Sequence, residues 1–191
     1  MSAYAPLVDM STNGVMCNNP LVNTAENTTE NAAATSAQPD DSPWLSSQQQ
    51  QIWRLWLAVQ ASSNIALGRQ LAADSDLSLA DYEILVHLSE APDQRWRIAA
   101  LADEIQWDRS RMSHQINRMM KRGLISKEAC TEDGRGYFAV LQPQGLEVLR
   151  AAAPGHAAKV KELFFARLAE REQEQLLGLL EKLASPYTTT D

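Results

Sequence analysis

Apolar residues recur at three- and four-residue intervals from Trp44 onward, the spacing that places them on one face of an α-helix. The first run predicts a long helix that starts at a capping box on Ser46 or Ser47 and continues to about Asp74. Its apolar face consists of Ile52, Trp56, Val59, Leu67 and Leu71, and is widened by Trp53 and Leu55. A face this broad exceeds what a small domain covers alone.

Two shorter helices are predicted next. Ser78, with Asp81 three residues later, marks the start of the second helix, and Pro92 marks its end. Apolar residues then return at helical spacing in a short third helix, at Ile98, Leu101, Ala102 and Ile105.

A fourth helix follows after a brief connection at 106–108. Asp108 or Ser110 can cap its start, and Gly123 can end it in the left-handed conformation. Its expected buried stripe is Met112, Ile116, Met119 and Met120. Two helices joined by three or four residues, the second rich in cations, are typical of a helix-turn-helix motif.

The segments 124–131 and 137–141 predict two strands around a glycine-containing turn, which together form a hairpin or wing. Helical spacing returns after Pro143, and we expect Pro154 and Gly155 to kink or interrupt that helix before a last one ends near Pro186. The predicted fold is mainly α with a small β-hairpin wing: a winged helix-turn-helix core with additional N- and C-terminal helices.

Charge is distributed unevenly along the chain. The net charge is −7, yet residues 1–43 contain five acidic and no basic residues, whereas 109–135 contains seven basic and three acidic ones. Because salt screens charges beyond roughly 10 Å, a partner responds to the local balance of +4. A basic helix beside a charged hairpin favours binding to double-stranded DNA. The additional apolar helices favour a homodimer, whose two-fold symmetry suits a palindrome.

These patterns predict the organisation of the chain. Residues 1–43 have few large apolar side chains and no periodicity, so we expect a disordered tail; a true start at Met10 or Met16 is the alternative. The expected parts are the tail at 1–43, a folded domain at 44–185 with a DNA-binding module at 78–142 between dimerisation helices at 44–77 and 143–185, and a short tail at 186–191.

Other classes of protein find little support. Cys17 and Cys130 are far apart and lack CxxC spacing, so no disulfide framework is expected. No apolar run approaches the roughly 20 residues that span a bilayer, and no secretory signal is apparent, so we expect a cytoplasmic protein without a membrane partner. The three histidines lack metal-ligand spacing, and no phosphate loop or catalytic motif occurs, so neither a metal, a cofactor nor an enzyme activity is expected.

The hairpin carries a pattern that resembles the MarR family of bacterial transcriptional regulators. Asp133, Arg135, Leu141 and Gly145 match the spacing of the family scheme D-x-R-x(5)-L-T-x-x-G, with Gln142 in place of the threonine. The segment SRMSHQINRMMKRGLI resembles the family's recognition helix, and the resemblance extends from about residue 44 to 184. It implies a homodimer with interleaved terminal helices, often a repressor, in some members released from DNA by small phenolic or otherwise apolar anions and in others sensitive to oxidants.

The candidate DNA contacts share the polar side of the fourth helix: Arg109, Ser110, Arg111, Ser113, His114, Asn117, Arg118, Lys121 and Arg122. Base-edge or nearby phosphate roles are expected for Ser113, His114, Asn117 and Arg118, and phosphate roles for Arg109, Arg111, Lys121 and Arg122. At the hairpin tip, Arg135 suits the minor groove, and Asp133 suits a structural role in the turn. The alternative for the helix is an ordinary solvated basic face.

Two other roles stay open. Trp53, Trp56, His87 and His156 are candidates for an effector pocket, although tryptophans on a long helix are more often core or dimer interface. Cys130 lies among anions that disfavour a thiolate, which favours an inert cysteine over a redox sensor. The leading function is a ligand-responsive DNA-binding repressor, and the alternatives are an activator and a winged-helix protein-interaction module.

Overall fold

The structure is a computed structural model that describes residues 43–130 and 136–184. Its elements are, in chain order, α1 (Ser47–Ser75), α2 (Leu79–Glu90), β1 (Arg95–Arg97), α3 (Ile98–Glu104), α4 (Arg109–Lys121), β2 (Ile125–Ala129), β3 (Tyr137–Leu141), α5 (Pro143–Val160) and α6 (Glu170–Ala184). The predicted tails at 1–43 and 186–191, apart from residue 43, and the hairpin turn lie outside the described residues. No helix within the described part is long and apolar enough to cross a membrane.

The chain divides into two compact units, with the division between Leu57 and Ala58. In the first unit, the predicted capping box is confirmed at Ser46. The Ser46 N–H donates to Gln49 Oε1 at 2.8 Å, and the Gln49 N–H donates to Ser46 Oγ at 3.2 Å. This exchange satisfies two main-chain groups that a helix start otherwise leaves unpaired.

The hydrophobic core of the second unit joins the end of α1, α2, α3, α4, the sheet and the first half of α5. Its fully buried side chains include Leu71, Leu85, Leu101, Ile116 and Met119. Burying one such side chain contributes roughly 1.5–3 kcal/mol. This core therefore fixes α4 against α2 and α3, and leaves the opposite face of α4 to solvent.

The helix-turn-helix prediction is confirmed. Ser78 and Asp81 form the predicted capping box of α2, which ends before Pro92. At the next boundary, Asp108 rather than Ser110 caps α4, since its Oδ1 accepts the Arg111 N–H at 2.8 Å. Gly123 follows α4 with φ +71°, the left-handed conformation that glycine adopts without strain.

The sheet has one more strand than the sequence predicts. β3 lies between β1 and β2 and pairs antiparallel with both, so that Ala139 faces Trp96 on one side and Lys127 on the other. β1 is only three residues long, so the alternation of arginine, tryptophan and arginine is too short to mark a strand. The β2 strand is shorter than predicted, and β3 has the predicted bounds.

Two details of the helices differ from expectation. Met120 is 37% exposed and lies outside the buried stripe, because it is rotated to the edge of the apolar face while Gln115 occupies the buried edge on the other side. Pro154 does not interrupt α5, which continues to Val160 before a π-helical turn at Lys161–Phe165. Pro154 is on the exposed side, where water can replace the hydrogen bond that proline removes.

Candidate nucleic-acid interface

One face of α4 is buried and the opposite face is exposed. Met112, Gln115, Ile116 and Met119 are buried, and they hold the helix against the core. The opposite side brings together most of the predicted DNA contacts in exposed positions: Arg109, Ser110, Ser113, His114, Asn117, Arg118 and Lys121. The spacing of these residues, which follows from 3.6 residues per turn, aligns polar donors and cations along one accessible face.

Contacts at the start of α4 orient two of its cations. The Arg109 guanidinium lies 3.7 Å from the Asp103 carboxylate, and both side chains are largely exposed. The half-buried Arg111 stacks on the Trp107 ring, with its guanidinium carbon 3.8 Å from the ring centroid. The attraction between the cation and the ring restrains the guanidinium at this position. These two arginines are therefore placed where the helix begins.

Arg122 has a different environment from the other predicted contacts. Its Nη1 donates to Asp81 Oδ2 at 2.9 Å, and its Nη2 donates to the Asp76 carbonyl oxygen. Asp81 is also the acceptor for the buried Gln115, whose Nε2 lies 2.6 Å from Oδ1. Arg122 thus ties the end of α4 to the start of α2, and its contact with a phosphate stays a prediction.

The sequence reading did not identify Gln115 and Asp81 as residues that hold α4 in place. The signal in the sequence was a polar residue three positions after Met112, on the side that the core buries. A buried amide needs hydrogen-bond partners, and only the folded structure shows which residues supply them.

Further cations lie on the sheet, next to aromatic rings of β3. Lys127 Nζ is 3.9 Å from the Tyr137 ring centroid, and the Arg95 guanidinium carbon is 4.0 Å from that of Phe138. Arg95 also pairs with Glu128 at 3.9 Å. The predicted wing tip, with Asp133 and Arg135, falls at 131–135 and lies outside the described residues.

The two candidate effector histidines contact different aromatic rings. His87 is buried against Trp96 in an edge-to-face contact of 5.7 Å, and His156 is buried against Tyr82 with ring centroids 4.3 Å apart. Burial lowers the pKa of both imidazoles below the usual value, and for His87 the nearby Glu104 and Glu90 oppose that shift. Trp53 and Trp56 belong to the first unit and are 48% and 38% exposed.

Cys130 is buried, and its Sγ accepts a hydrogen bond from Arg97 Nη2 at 2.9 Å. Burial limits the access that oxidants require, so the structure offers no exposed thiol at this position. Cys17 lies outside the described residues. Among the residues that the structure describes, no cluster of three or more histidine, cysteine, aspartate or glutamate side chains has the arrangement of a metal site.

Comparison with known proteins agrees with this architecture. A family model described as the MarR family matches residues 77–137. A relative, the transcriptional regulator HosA of Escherichia coli, is 30% identical over 108 residues, which cover 56% of this chain and 78% of the relative.

Two solved structures from Streptomyces coelicolor are similar over most of their length. Sco3205, a MarR family transcriptional regulator in complex with DNA, is 35% identical with a TM-score of 0.73 and covers 79% of this chain and 94% of its own. AbsC, another MarR family regulator, is 38% identical with a TM-score of 0.71 and covers 78% of this chain and 100% of its own.

Proposed function

Because the chain belongs to the MarR family of transcriptional regulators, we propose that it is a sequence-specific DNA-binding repressor that acts as a homodimer. The observation that carries this proposal is the exposed face of α4, where cations and hydrogen-bonding side chains lie opposite a buried apolar stripe. The DNA complex of Sco3205 supports the same use of the fold here. As a DNA-binding regulator, the protein would act in the cytoplasm.

In the proposed complex, α4 enters the major groove. Asn117 and Arg118 carry the donors and acceptors that discriminate adenine and guanine edges, and Ser113 and His114 lie on the same face. Arg109, Arg111 and Lys121 hold phosphates, which sets the register of the helix without reading sequence. Arg135 on the wing reaches the adjacent minor groove.

The proposed homodimer is supported by apolar residues that each unit leaves exposed. The first unit exposes Ile52, Trp53, Leu55, Trp56 and Leu57, and α6 in the second unit exposes Leu177, Leu179, Leu180 and Leu183. Large exposed apolar patches are rare on monomeric proteins and usually mark an interface. A second copy of the chain is the occupant that also places two α4 helices on one palindrome.

A fluorescence-anisotropy titration tests the proposal directly. We expect the protein to bind one palindrome, found by footprinting the DNA upstream of its own gene, about 10³-fold or more tightly than a scrambled duplex. Affinity should fall steeply with salt because bound phosphates release counterions. Equal and weak binding to every sequence would instead favour a winged-helix module that binds protein. A reporter gene under that promoter distinguishes a repressor from an activator.

We also propose that a small apolar or phenolic anion releases the protein from DNA. Trp53, Trp56, His87 and His156 are each candidate residues for contacting this anion. The support is the family resemblance, together with the aromatic rings beside both imidazoles, which are the kind of side chain that an apolar anion contacts. Benzoate and 2-hydroxybenzoate are suitable first probes. Operator affinity that stays constant at millimolar concentrations of both would argue against an effector of this class.

A further inference from the structure

A buried chain of hydrogen bonds connects the start of α2 to the exposed face of α4. Asp81 Oδ2 accepts from the Ser78 main-chain N–H at 2.9 Å and from its hydroxyl at 2.7 Å. Asp81 Oδ1 accepts from Gln115 Nε2 at 2.6 Å, and Gln115 Oε1 accepts from Arg118 Nη2. Asp81 and Gln115 are only 4% and 2% exposed. We call Asp81 and Gln115 the relay.

The chemistry of the two ends allows the Gln115 amide only one orientation. A carboxylate can only accept hydrogen bonds, and a guanidinium can only donate them. The amide nitrogen must therefore face Asp81, and the amide oxygen must face Arg118. Turning the amide over would break both bonds and would bring the amide oxygen against the buried Asp81 carboxylate. The orientation of Gln115 is thus set by its neighbours and in turn fixes Arg118.

The same carboxylate also fixes the far end of α4. Arg122 shares Asp81 Oδ2 with Ser78, and it reaches Asp76 in the connection between α1 and α2. Asp76 has φ +53°, a strained conformation for a residue with a side chain. Asp81 therefore holds α4 at Gln115 in its middle and at Arg122 at its end, which prevents rotation of α4 about its axis.

We propose that the relay determines base specificity by aiming the Arg118 guanidinium, an inference that rests on the proposed function of α4. Arginine reads guanine through a pair of N–H groups held in one plane, and this contact requires a fixed orientation. A guanidinium with five donors can use one on Gln115 and still present a pair to the O6 and N7 atoms of guanine. Gln115 is then a positioning residue that never touches DNA.

The test compares Gln115→Met, which keeps the side-chain length and removes both bonds, with Arg118→Ala. The readout is the ratio of operator to scrambled-DNA affinity for each protein. We expect each variant to lower this ratio by about tenfold, with most of the loss at one G·C pair of each half-site. The affinity ratio of the double variant should be no lower than that of either single variant. Gln115→Met with an unchanged ratio beside an impaired Arg118→Ala would overturn the proposal.

Ser78→Ala is the matched control, because it removes the hydroxyl bonds at the cap of α2 and leaves the contact between Asp81 and Gln115. Ser78→Ala should lower the unfolding temperature and leave the ratio of operator to scrambled-DNA affinity within twofold of the wild-type value. If this ratio instead falls in every variant in proportion to its loss of stability, Gln115 does not act by positioning Arg118. All proteins are compared at a temperature where circular dichroism shows them folded.

A measurement without DNA separates the relay from the proposed function. NMR relaxation of the Arg118 side-chain Nε–H in the free protein should show restricted motion in the wild type and faster motion in Gln115→Met. Equal order in both proteins overturns the relay, whatever the DNA result. The NMR result could show that Gln115 orders Arg118 while the wild-type protein binds no DNA. That combination would overturn the proposed function and the role in specificity, but it would confirm the orientation of the Gln115 amide.

Discussion

Gly145 lies so close to Leu124 that a β-carbon at position 145 would stand 2.1 Å from the Leu124 carbonyl oxygen. The same carbonyl accepts the Gln142 N–H at 3.1 Å, so the start of α5 is held against the chain that leaves α4. This contact gives a physical reason for the glycine of the motif that identifies the wing. The glycine allows the main chain of α5 to approach the main chain at Leu124, between α4 and β2.

Gly145→Ala should therefore destabilise the protein by about 2 kcal/mol or more, since the added methyl group meets main chain that cannot move aside cheaply. Urea unfolding followed by circular dichroism measures this loss. Gly68→Ala is the control, because a β-carbon at 68 has no atom within 4 Å. That variant should gain up to about 1 kcal/mol from helix propensity. Equal effects at both positions would show that close approach is not what position 145 requires.

Base contacts and phosphate contacts on α4 should differ in how the loss of affinity depends on DNA sequence and on salt. Asn117→Ala should weaken operator binding by about tenfold while leaving affinity for scrambled DNA unchanged, because a base contact carries sequence information. Lys121→Ala should weaken both alike and reduce the salt slope by about 0.9. Anisotropy titrations between 50 and 200 mM salt, roughly the range over which counterion release is strong, measure both effects. The reverse pattern would exchange the roles of the two residues.

The wing is tested by Arg135→Ala. If Arg135 enters the minor groove, the variant should lose about tenfold or more in operator affinity while the dimer stays folded. Lys127→Ala is the comparison, since Lys127 lies on β2, away from the tip of the wing, and contacts the Tyr137 ring. Unchanged affinity of the Arg135 variant at about 0.15 M salt would remove the wing tip from the mechanism.

The sequence predicted what depends on local chemistry and missed what depends on distant partners. Ser78 with Asp81, and Asp108 before α4, are capping signals that act within four residues, and the structure has both caps. Gln115 was overlooked because its partner Asp81 is 34 residues away. Arg122 has the sequence signature of a phosphate contact, yet two aspartates from another part of the chain surround it. β1 was missed because pairing with β3, rather than its own pattern, makes it a strand.

The proposed dimer predicts that a charge on the apolar face of α6 separates the protomers. Leu183 is 67% exposed in a single chain, so Leu183→Glu should disturb the interface without disturbing the core. Analytical ultracentrifugation should then give the 21.2 kDa mass of one chain, in place of twice that mass for the wild type. Glu174→Lys changes charge on the opposite side of α6 and should remain dimeric. A dimeric Leu183 variant would place the interface elsewhere.

Lowering the pH should reduce the free energy of unfolding because the protein buries two histidines. Burial lowers the pKa of His156 below the 6.5 of an exposed imidazole, so the unfolded chain takes up a proton at a pH where the folded chain does not. The contribution of the neutral imidazole to stability is complete above about pH 6.5 and falls as pH drops from there through the folded-state pKa, by at most about 1.4 kcal/mol per pH unit for one histidine.

His156→Phe, which keeps a ring against Tyr82, should therefore flatten the decline in unfolding free energy between about pH 6.5 and 5, whatever its effect at pH 8. Urea unfolding across this range gives the slopes, and part of the decline should persist because burial also lowers the pKa of His87. Identical slopes for the variant and the wild type would mean that His156 takes up its proton equally in the folded and unfolded chains, and the acid sensitivity would then belong to other groups.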